Sequence, residues 1–553
     1  MNRRDFLTTC AALGVAACGR SPASPPLPPG ELSGSNLARG HRLQATEHPA
    51  PFPPADETRR IPLLIIGGGI AGLSAGWCLQ RAGFTDFLIT ELEDRIGGNS
   101  RYGENPVSRY PLGAHYLPLP GPEASAVRAL LADFGILQGD PQARQPIYDE
   151  RYLCATPQER LYLRGRWHDG LLPPASDATE QQRIHAFQQR IHAWKTWRDP
   201  QGRPAFALPM EHSSRDPSLL ALDRLTFGAW LRREQLDCPA LRWYLNYACR
   251  DDFGTHLDHT SAWAGLHYFV SRDGQAANAS GDTVLTAPEG NGWLVRRLEE
   301  RLHPHLRCNA LVTALRPGAR HIDVDLWLAD EQRSLRIEAQ QVIWAAPLFV
   351  LGHVWPDAPP AVRQAAQTFS YAPWLVANLT LSELPHTRTG APLAWDNVLH
   401  EGPGLGYVVA THQQIRVRPG ATVISYYRAF DDADPRLPRR QLQQRPREYW
   451  AEAILNELGR PHPELRAITQ RLDVFRHGHA MIRPLPGLLW GADSARRTLT
   501  QTHTALHPRL QLAHADLSGM SLFEEANYRG VLAAERLLDT LNIPHTSLLH
   551  PTS

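Results

Sequence analysis

The stretch LLIIGGGIAGLSAGWCLQRAGF, residues 63–84, decides the fold. Its first four residues are apolar, which is typical of a parallel strand covered on both faces. Gly67, Gly69 and Gly72 then have the GxGxxG spacing, and the helical segment that follows ends near Gly83. The order of strand, glycine turn and helix predicts a dinucleotide-binding βαβ unit.

Each position of this turn has a physical role. Glycine at 67 and 69 lets the backbone turn tightly and approach a pyrophosphate, while Gly72 lets the helix and the strand pack closely. Ile70 and Ala71 open the helix, so that their backbone N–H groups are expected to face the phosphates. The turn is therefore predicted to bind a nucleotide through its backbone.

A second strand, Phe87–Thr90, ends in Glu91, nineteen residues after Gly72. An acidic residue at this place is expected to accept hydrogen bonds from the hydroxyls of an adenosine ribose. NAD and FAD share this pattern, and the residues after Glu91 distinguish them.

The segment ELEDRIGGNS, residues 91–100, resembles the stretch after the second strand in the flavin amine oxidases and phytoene desaturases. In that superfamily an arginine and two glycines lie over the FAD pyrophosphate, and here these are Arg95, Gly97 and Gly98. Asn99 stands where the amine oxidases usually have another arginine. The resemblance implies FAD, with Asn99 among the residues that bind it.

Two later segments extend the resemblance. Residues 310–347 are similar to the second FAD-domain segment of the superfamily, with Val312 where the backbone meets adenine. Residues 510–538 resemble its closing motif, in which Asp516 would bind the ribityl or pyrophosphate region. The backbone N–H groups expected near the pyrimidine end of the flavin ring are those of Ser521, Leu522 and Phe523.

The resemblance implies an α/β fold with two interleaved domains. A discontinuous, Rossmann-type FAD-binding domain (GR2-like) is expected from residues 61–120, 285–350 and 480–545. An α+β substrate domain is expected from residues 121–284 and 351–479.

The resemblance also suggests catalytic residues. His115 and Tyr116 belong to a stretch that runs past the flavin ring in the superfamily. Many amine oxidases place a lysine near the flavin, on a strand that corresponds here to one with Ala377 and Asn378. The only lysine of this chain is Lys195, in a charged helical segment, so we expect that the family lysine is missing.

These residues predict an FAD-dependent oxidoreductase that transfers a hydride from an amine or a related C–H substrate to the flavin. Hydride transfer depends more on orientation than on an acid or base, so the reaction does not require the lysine. Oxygen and a quinone are both allowed as the electron acceptor. Two alternatives stay open: a desaturase or isomerase of a lipophilic substrate, and a flavoprotein without turnover that serves as a binding partner.

The N-terminus predicts export. Arg3 and Arg4 precede a short apolar run, which is the order of a twin-arginine signal peptide over residues 1–18. Cys18 ends a segment that resembles a lipobox, and the alternative is a simple cleavage region. Because the twin-arginine machinery moves folded proteins, FAD bound in the cytoplasm would travel with the protein to the periplasm. Residues 19–60 are rich in proline and serine and predict an extended spacer.

Composition excludes some other functions. A formal net charge of +1, spread over many charges of both signs, gives no basic surface for nucleic acid. No histidine or cysteine spacing matches a metal site, and no metal is expected. The cysteines outside the signal have wide spacing and are expected to be mostly buried thiols, with one disulfide left open: Cys78, Cys154, Cys238, Cys249 and Cys308.

Overall fold

The computed structural model describes residues 26–549 except 45–51, 387, 416–417, 419 and 502–505. The predicted signal peptide and Cys18 lie outside the described residues. Within the described ranges, each helix is too short or too polar to cross a membrane.

The strands, in chain order, are β1 (Leu32–Gly34), β2 (Ala55–Ile66), β3 (Phe87–Thr90), β4 (Tyr102–Glu104), β5 (Arg109–Pro111), β6 (Leu117–Pro118), β7 (Leu137–Gln138), β8 (Ile147–Tyr148), β9 (Glu159–Leu163), β10 (Arg166–Asp169), β11 (Val284–Leu285), β12 (Leu306–Arg307), β13 (Ala310–Pro317), β14 (Ile322–Leu328), β15 (Arg333–Trp344), β16 (Tyr371–Leu381), β17 (Asp396–Leu399), β18 (Gly406–Val409), β19 (Thr422–Ala429), β20 (Thr469–Ile482) and β21 (Leu510–Leu512).

The α-helices are α1 (Leu37–Gly40), α2 (Ile70–Arg81), α3 (Ser125–Asp133), α4 (Ala178–Thr196), α5 (Pro217–Leu220), α6 (Phe227–Arg233), α7 (Pro239–Phe253), α8 (Ala262–Val270), α9 (Gly292–Leu302), α10 (Leu348–Val354), α11 (Pro360–Thr368), α12 (Arg436–Gln444), α13 (Arg447–Leu458), α14 (Leu465–Ile468), α15 (Ala495–Gln501) and α16 (Phe523–Thr540). The predicted α/β fold class is confirmed.

A seven-stranded sheet has the order β12-β3-β2-β15-β14-β13, with β21 paired to β15. Its parallel strands end in register, because Ile66 pairs with both Thr90 and Trp344, and Trp344 pairs with Leu512. The carboxyl edge of a parallel sheet is where α/β folds bind ligands. The glycine turn, Glu91 and Asp516 follow strands that end at this edge.

An eight-stranded, mainly antiparallel sheet has the order β1-β20-β16-β19-β18-β17-β9-β10. One of its faces packs against α13 through Trp450 and Ile454. The opposite face places Trp374 and Tyr427 near Tyr247 of α7. This second face forms a wall of the candidate site described below.

The helix that follows the glycine turn, α2, packs against α16, although the two helices are more than 400 residues apart in the sequence. A Cβ added to Gly530 would lie 2.1 Å from the carbonyl oxygen of Ala71, so only glycine allows this approach. The Asn527 amide donates a hydrogen bond of 3.0 Å to the hydroxyl of Ser74. This packing fixes the amino-terminal ends of both helices beside the same sheet edge.

The prediction of an extended spacer over residues 19–60 is wrong for residues 26–44 and 55–60. β1 adds a parallel strand to the edge of the eight-stranded sheet, in register with Val474–Arg476 of β20. β2 begins at Ala55, six residues before the predicted start of the cofactor domain. Strand pairing uses backbone hydrogen bonds, so a segment with few apolar side chains can still join a sheet edge.

The cysteines outside the signal are free thiols in the structure. Four of them are buried, and Cys308 is partly exposed. The prediction of mostly buried thiols is confirmed.

Candidate active site

A long cavity of about 820 Å³ lies at the carboxyl edge of the seven-stranded sheet and extends to β20. Most of the residues predicted to bind the cofactor line it: Gly67, Gly69, Ile70, Ala71, Glu91, Gly98, Asn99, Val312, Asp516, Ser521, Leu522 and Phe523. Gly72, Arg95 and Gly97 are not part of its wall. The roles assigned to these side chains stay predictions, but the structure brings most of them to one cavity.

The backbone of the glycine turn is exposed to the long cavity, where a ligand could contact it. Gly67 has a φ of +111°, which favours glycine, and a Cβ added to Gly72 would lie 1.9 Å from the Gly67 carbonyl oxygen. Gly72 therefore serves the packing of the turn against its own helix. Gly69 precedes α2 without a side-chain cap, so the first N–H groups of α2 are available to an anion in the cavity.

Glu91 organises the turn as well as facing the cavity. Its Oε2 accepts a hydrogen bond of 2.8 Å from the Gly68 N–H, and its Oε1 accepts one of 2.9 Å from the Glu93 N–H. Burial raises the pKa of Glu91, and these two N–H donors oppose that shift. The carboxylate thus lies fixed beside the turn, as a ribose-binding acid should.

The second glycine turn packs against the first. The Gly97 N–H donates to the Gly68 carbonyl at 2.8 Å, while Arg95 is exposed to solvent. Arg101 lines the cavity instead, and it is ion-paired with Glu93 at 3.4 Å. Arg101 was not among the residues predicted to bind the cofactor, although an arginine two residues after Asn99 is a signal in the sequence that points to it.

Asp516 follows β21, is fully buried and lines the long cavity. Its Oδ2 accepts hydrogen bonds from the Leu348 N–H at 2.9 Å and from the Tyr371 hydroxyl at 2.7 Å. Burial alone would raise the pKa of Asp516, but His514 and these donors outweigh burial and lower it. Asp516 is held as a carboxylate, and the nearby first turn of α16 begins after Leu522 without a side-chain cap.

A smaller cavity of about 120 Å³, the inner cavity, adjoins the long one, and Asn99, His477 and Ser521 line both. His115 and Tyr116, the two predicted catalytic residues, lie on its wall. The structure therefore brings them next to the predicted flavin end of the long cavity. Their catalytic role stays a prediction.

Aromatic rings surround the inner cavity. The ring centroids of His115 and Tyr427 are 4.4 Å apart, and those of His115 and Tyr116 are 5.1 Å apart. Burial lowers the pKa of His115 to about 3, and the backbone hydrogen bond to Gly113 offsets this only in part. The imidazole is uncharged at neutral pH, so the inner cavity is aromatic and carries no positive charge at His115.

A third cavity of about 920 Å³, the outer cavity, joins the inner one, and Tyr116, Asp251 and Arg272 line both. Glu159 and Asp396 add two more carboxylates to its wall. They are paired residues at the start of β9 and β17. Glu159, Asp251 and Asp396 were not predicted from the sequence, because they come from separate elements and form no local motif.

The acids of the outer cavity have few partners. The Tyr247 hydroxyl donates to Asp396 Oδ2 at 3.3 Å, and the Tyr116 hydroxyl donates to Asp251 Oδ2 at 3.2 Å. In the part of the chain that the structure describes, none of Glu159, Asp251 and Asp396 forms an ion pair with a basic side chain. Neutral hydroxyl donors only partly satisfy a carboxylate.

Burial is the main cause of the raised pKa values of these acids. Burial, with a contribution from Asp252, raises the pKa of Asp251 to about 7. Burial and the nearby Asp282 raise the pKa of Glu159 to about 7. Burial and the charges of Asp251 and Glu159 raise the pKa of Asp396 well above its ordinary value. A cation bound in the outer cavity would lower the pKa values of all three acids.

Arg272 does not neutralise the three acids of the outer cavity. Its charge lowers the pKa of Asp251 in part, but its guanidinium is ion-paired with the buried Asp252. It also donates a hydrogen bond of 3.1 Å to the Tyr116 hydroxyl. Arg272 and Asp252 together balance each other's charge and hold Tyr116 in place.

The strand expected to carry the family lysine presents other residues to the site. Trp374 and Val376 of β16 line the inner cavity, whereas Ala377 is buried in the core. The Asn378 side chain is also buried and bonds to the backbone of Pro111. Lys195 lies on α4 and lines the outer cavity, far along the chain from β16.

The shape and the polar groups of the long cavity suit a dinucleotide. It has a glycine turn at the start of α2, two helix amino termini without side-chain caps, and a fixed carboxylate at Glu91. Arg101 and Arg439 supply positive charge on the same wall. These features suit the pyrophosphate and ribose of a bound dinucleotide.

Among curated proteins, Polyamine oxidase 7 from Oryza sativa subsp. japonica is 56% identical over 41 residues. That match spans 7% of this chain and 9% of the length of the relative.

Among solved structures, putrescine oxidase bound to putrescine has a TM-score of 0.62 at 16% identity, over 87% of this chain and 100% of its own. Cyclohexylamine oxidase from Brevibacterium oxydans has a TM-score of 0.59 at 15% identity, over 87% of this chain and 99% of its own. A fatty acid isomerase from P. acnes also has a TM-score of 0.59, at 16% identity, over 87% and 98% of the two chains. These likenesses concern the fold, which is shared by enzymes with different substrates.

The family comparison is more specific. Residues 70–538 match the family described as flavin-containing amine oxidoreductase, and this range begins at Ile70, the first residue of α2, and includes the inner and outer cavities and most of α16. The chain therefore belongs to the flavin-containing amine oxidoreductase family and is an FAD-dependent oxidoreductase.

Proposed function

We propose that this protein oxidises an amine that carries a second cationic group, such as a diamine or polyamine. The observation that carries the proposal is the set of three carboxylates, Glu159, Asp251 and Asp396, on the wall of the outer cavity. Their raised pKa values mean that the ligand-free site disfavours their charged forms. An ammonium group beside these carboxylates would give them the ion-pair partner that they lack among the described residues and would favour their charged forms.

The inner cavity suits the amine that reacts. Tyr116 and Tyr427 offer aromatic faces, which attract ammonium groups and pack against methylene groups. His115 is uncharged, and Arg272 is neutralised by Asp252, so neither repels an amine strongly. A diamine could then place one nitrogen in the inner cavity and the other at Asp251 or Asp396.

The chemistry that FAD supplies when bound is acceptance of a hydride from the carbon beside the substrate nitrogen. The residues of the chain orient that carbon and exclude water from the aromatic inner cavity. Tyr116 contributes by its position, since Asp251 and Arg272 both hydrogen-bond to its hydroxyl. Oxygen or a quinone would then take the electrons.

A panel of reductants under anaerobic conditions tests the proposed substrate class. Purified FAD-loaded protein is mixed with a linear diamine, an alkyl monoamine of equal length, and an unsaturated fatty acid. We expect the diamine to bleach the flavin absorbance and to yield an aldehyde. Turnover of the fatty acid alone would favour the desaturase or isomerase alternative, and no turnover of any compound in a broad amine panel would favour a flavoprotein that only binds.

We further propose that the protein is exported, folded and loaded with FAD, to the periplasm. The order of Arg3, Arg4 and the apolar run supports this. A second support is that the long cavity uses residues from both ends of the chain, so FAD binding requires a folded protein. Lipidation at Cys18 would keep the exported protein at the membrane, and cleavage without lipidation would release it.

A further inference from the structure

Residues 26–44 form an N-terminal strap that lies outside the range matched by the family, residues 70–538. The strap contains β1, α1 and the short 3₁₀ turn His41–Leu43. It contacts both sheets of the protein and lies along the wall of the long cavity.

One end of the strap is attached to β20. The Val474 N–H donates to the Glu31 carbonyl at 2.8 Å, and the Ser35 N–H donates to the Arg476 carbonyl at 3.1 Å. A Cβ added to Gly30 would lie 1.8 Å from the Leu472 carbonyl oxygen, so the backbones approach as closely as glycine allows. This end behaves as a regular edge strand of the eight-stranded sheet.

The next part of the strap is attached to the loop that follows β3. The Asn36 N–H donates to Glu93 Oε1 at 2.8 Å. The Arg39 guanidinium donates to Asn309 Oδ1 at 3.0 Å and also to the Leu92 carbonyl. Leu92 and Glu93 directly follow Glu91, so these bonds tie the strap to the predicted ribose end of the cavity.

Between and beyond these attachments, the strap covers the cavity itself. Leu37 lies next to β20, since a Cβ added to Gly478 would be 3.7 Å from its Cδ2. The strap residues on the cavity wall are Ser35, Asn36, Leu37, Gly40, His41, Leu43 and Gln44. The strap therefore bridges the two sheets across the long cavity.

We propose that the N-terminal strap is a cofactor-retaining element, which closes over the bound FAD and must move before FAD leaves. The cofactor itself follows from the family, whereas the strap precedes the family range. Its attachments to β20 and to Glu93 and Asn309 hold the two domains together around FAD. A bound FAD would in turn hold the strap in place.

The release rate of FAD tests this proposal. FAD-loaded protein is diluted, and flavin fluorescence is followed as free FAD appears, for the parent and for Arg39→Ala. Loss of the charge-assisted bonds of Arg39 is expected to speed release roughly tenfold. Arg59→Ala is the matched control, since the Arg59 side chain is exposed, pairs with Glu57 outside the strap and is not on the cavity wall.

Limited proteolysis gives a second readout that needs no variant. Trypsin cleaves after Arg39 and Arg42, and both sites lie within the strap. We expect slow cleavage in FAD-loaded protein and at least about fivefold faster cleavage after FAD is removed. Equal cleavage with and without FAD, or equal FAD release from Arg39→Ala and the parent, would overturn the proposal.

Discussion

Glu159 and Asp396 are paired residues in the parallel ladder between β9 and β17, and both carboxylates face the outer cavity. Neighbouring strands lie about 4.8 Å apart, so two acids in register raise each other's cost of ionisation. A site of this kind is stabilised by a cation. The proposed diamine specificity depends on this pair and on Asp251.

Replacing Asp396 tests the contribution of this pair to substrate binding. Asp396→Asn keeps the shape and the Tyr247 contact but removes the charge that faces the distal ammonium. A charge-assisted hydrogen bond is worth about 1.5–3 kcal/mol, so kcat/KM for a diamine should fall at least roughly tenfold. Asp140→Asn, an exposed acid outside this cavity, should change kcat/KM less than about threefold. An equal loss of kcat/KM in both variants would contradict the proposal that Asp396 binds the distal ammonium.

Cation binding should strengthen as the pH rises through 7. The pKa values of Asp251 and Glu159 are raised to about 7, so both acids are protonated below that pH and charged above it. Between about pH 4 and 7, Asp251 and Glu159 bind fewer protons in the unfolded chain than in the folded protein. The stability of the ligand-free protein therefore falls as the pH rises through this range. A bound cation offsets this loss at high pH.

The measurement for this pH dependence is the Tm of FAD-loaded protein with and without a bis-quaternary diammonium salt, which has no nitrogen lone pair and is not oxidised. The increase in Tm should be larger at about pH 8 than at about pH 6. An increase that is the same at both pH values, or larger at the lower one, would exclude titration of these acids as the cause.

Glu91→Ala should weaken FAD binding. The variant loses the ribose acceptor and also the two bonds that fix Gly68 and Glu93 around the turn. The expected loss is about 1.5–3 kcal/mol, or at least roughly tenfold in affinity, measured as FAD per protein after dialysis. Glu104→Ala, whose side chain is exposed, is the control. Unchanged FAD content in Glu91→Ala would remove Glu91 from the site.

Substitution of both arginines of the proposed signal tests export. Arg3→Lys together with Arg4→Lys preserves charge, so it tests recognition of the arginine pair. We expect folded, FAD-loaded protein to accumulate in the cytoplasm, as measured by cell fractionation and flavin absorbance. Periplasmic protein at the parental level would contradict the twin-arginine route.

The cofactor end of the molecule could be predicted because its signals are local. The glycines at 67, 69 and 72 and the acid at 91 have fixed spacing, and the parallel strands before them end at one edge. Local spacing did not identify Arg101, because it lines the cavity two residues after Asn99, the position where the family pattern has an arginine.

The substrate end and the strap could not be predicted in the same way. Glu159, Asp251 and Asp396 come together only because β9 pairs with β17 and α7 packs against them, and no spacing in the sequence records these contacts. Residues 26–44 have the composition of a spacer, because their attachment uses backbone bonds and a few polar side chains.

The most direct test of the central claim compares two amines of equal length in the parent protein. The rate of anaerobic flavin bleaching is measured as a function of concentration for a linear diamine and for the alkyl monoamine that lacks its second nitrogen. If the outer cavity binds the distal ammonium, the diamine should be favoured at least roughly tenfold in the ratio of maximal rate to half-saturating concentration. Equal ratios, or a preference for the monoamine, would contradict the proposed role of Glu159, Asp251 and Asp396.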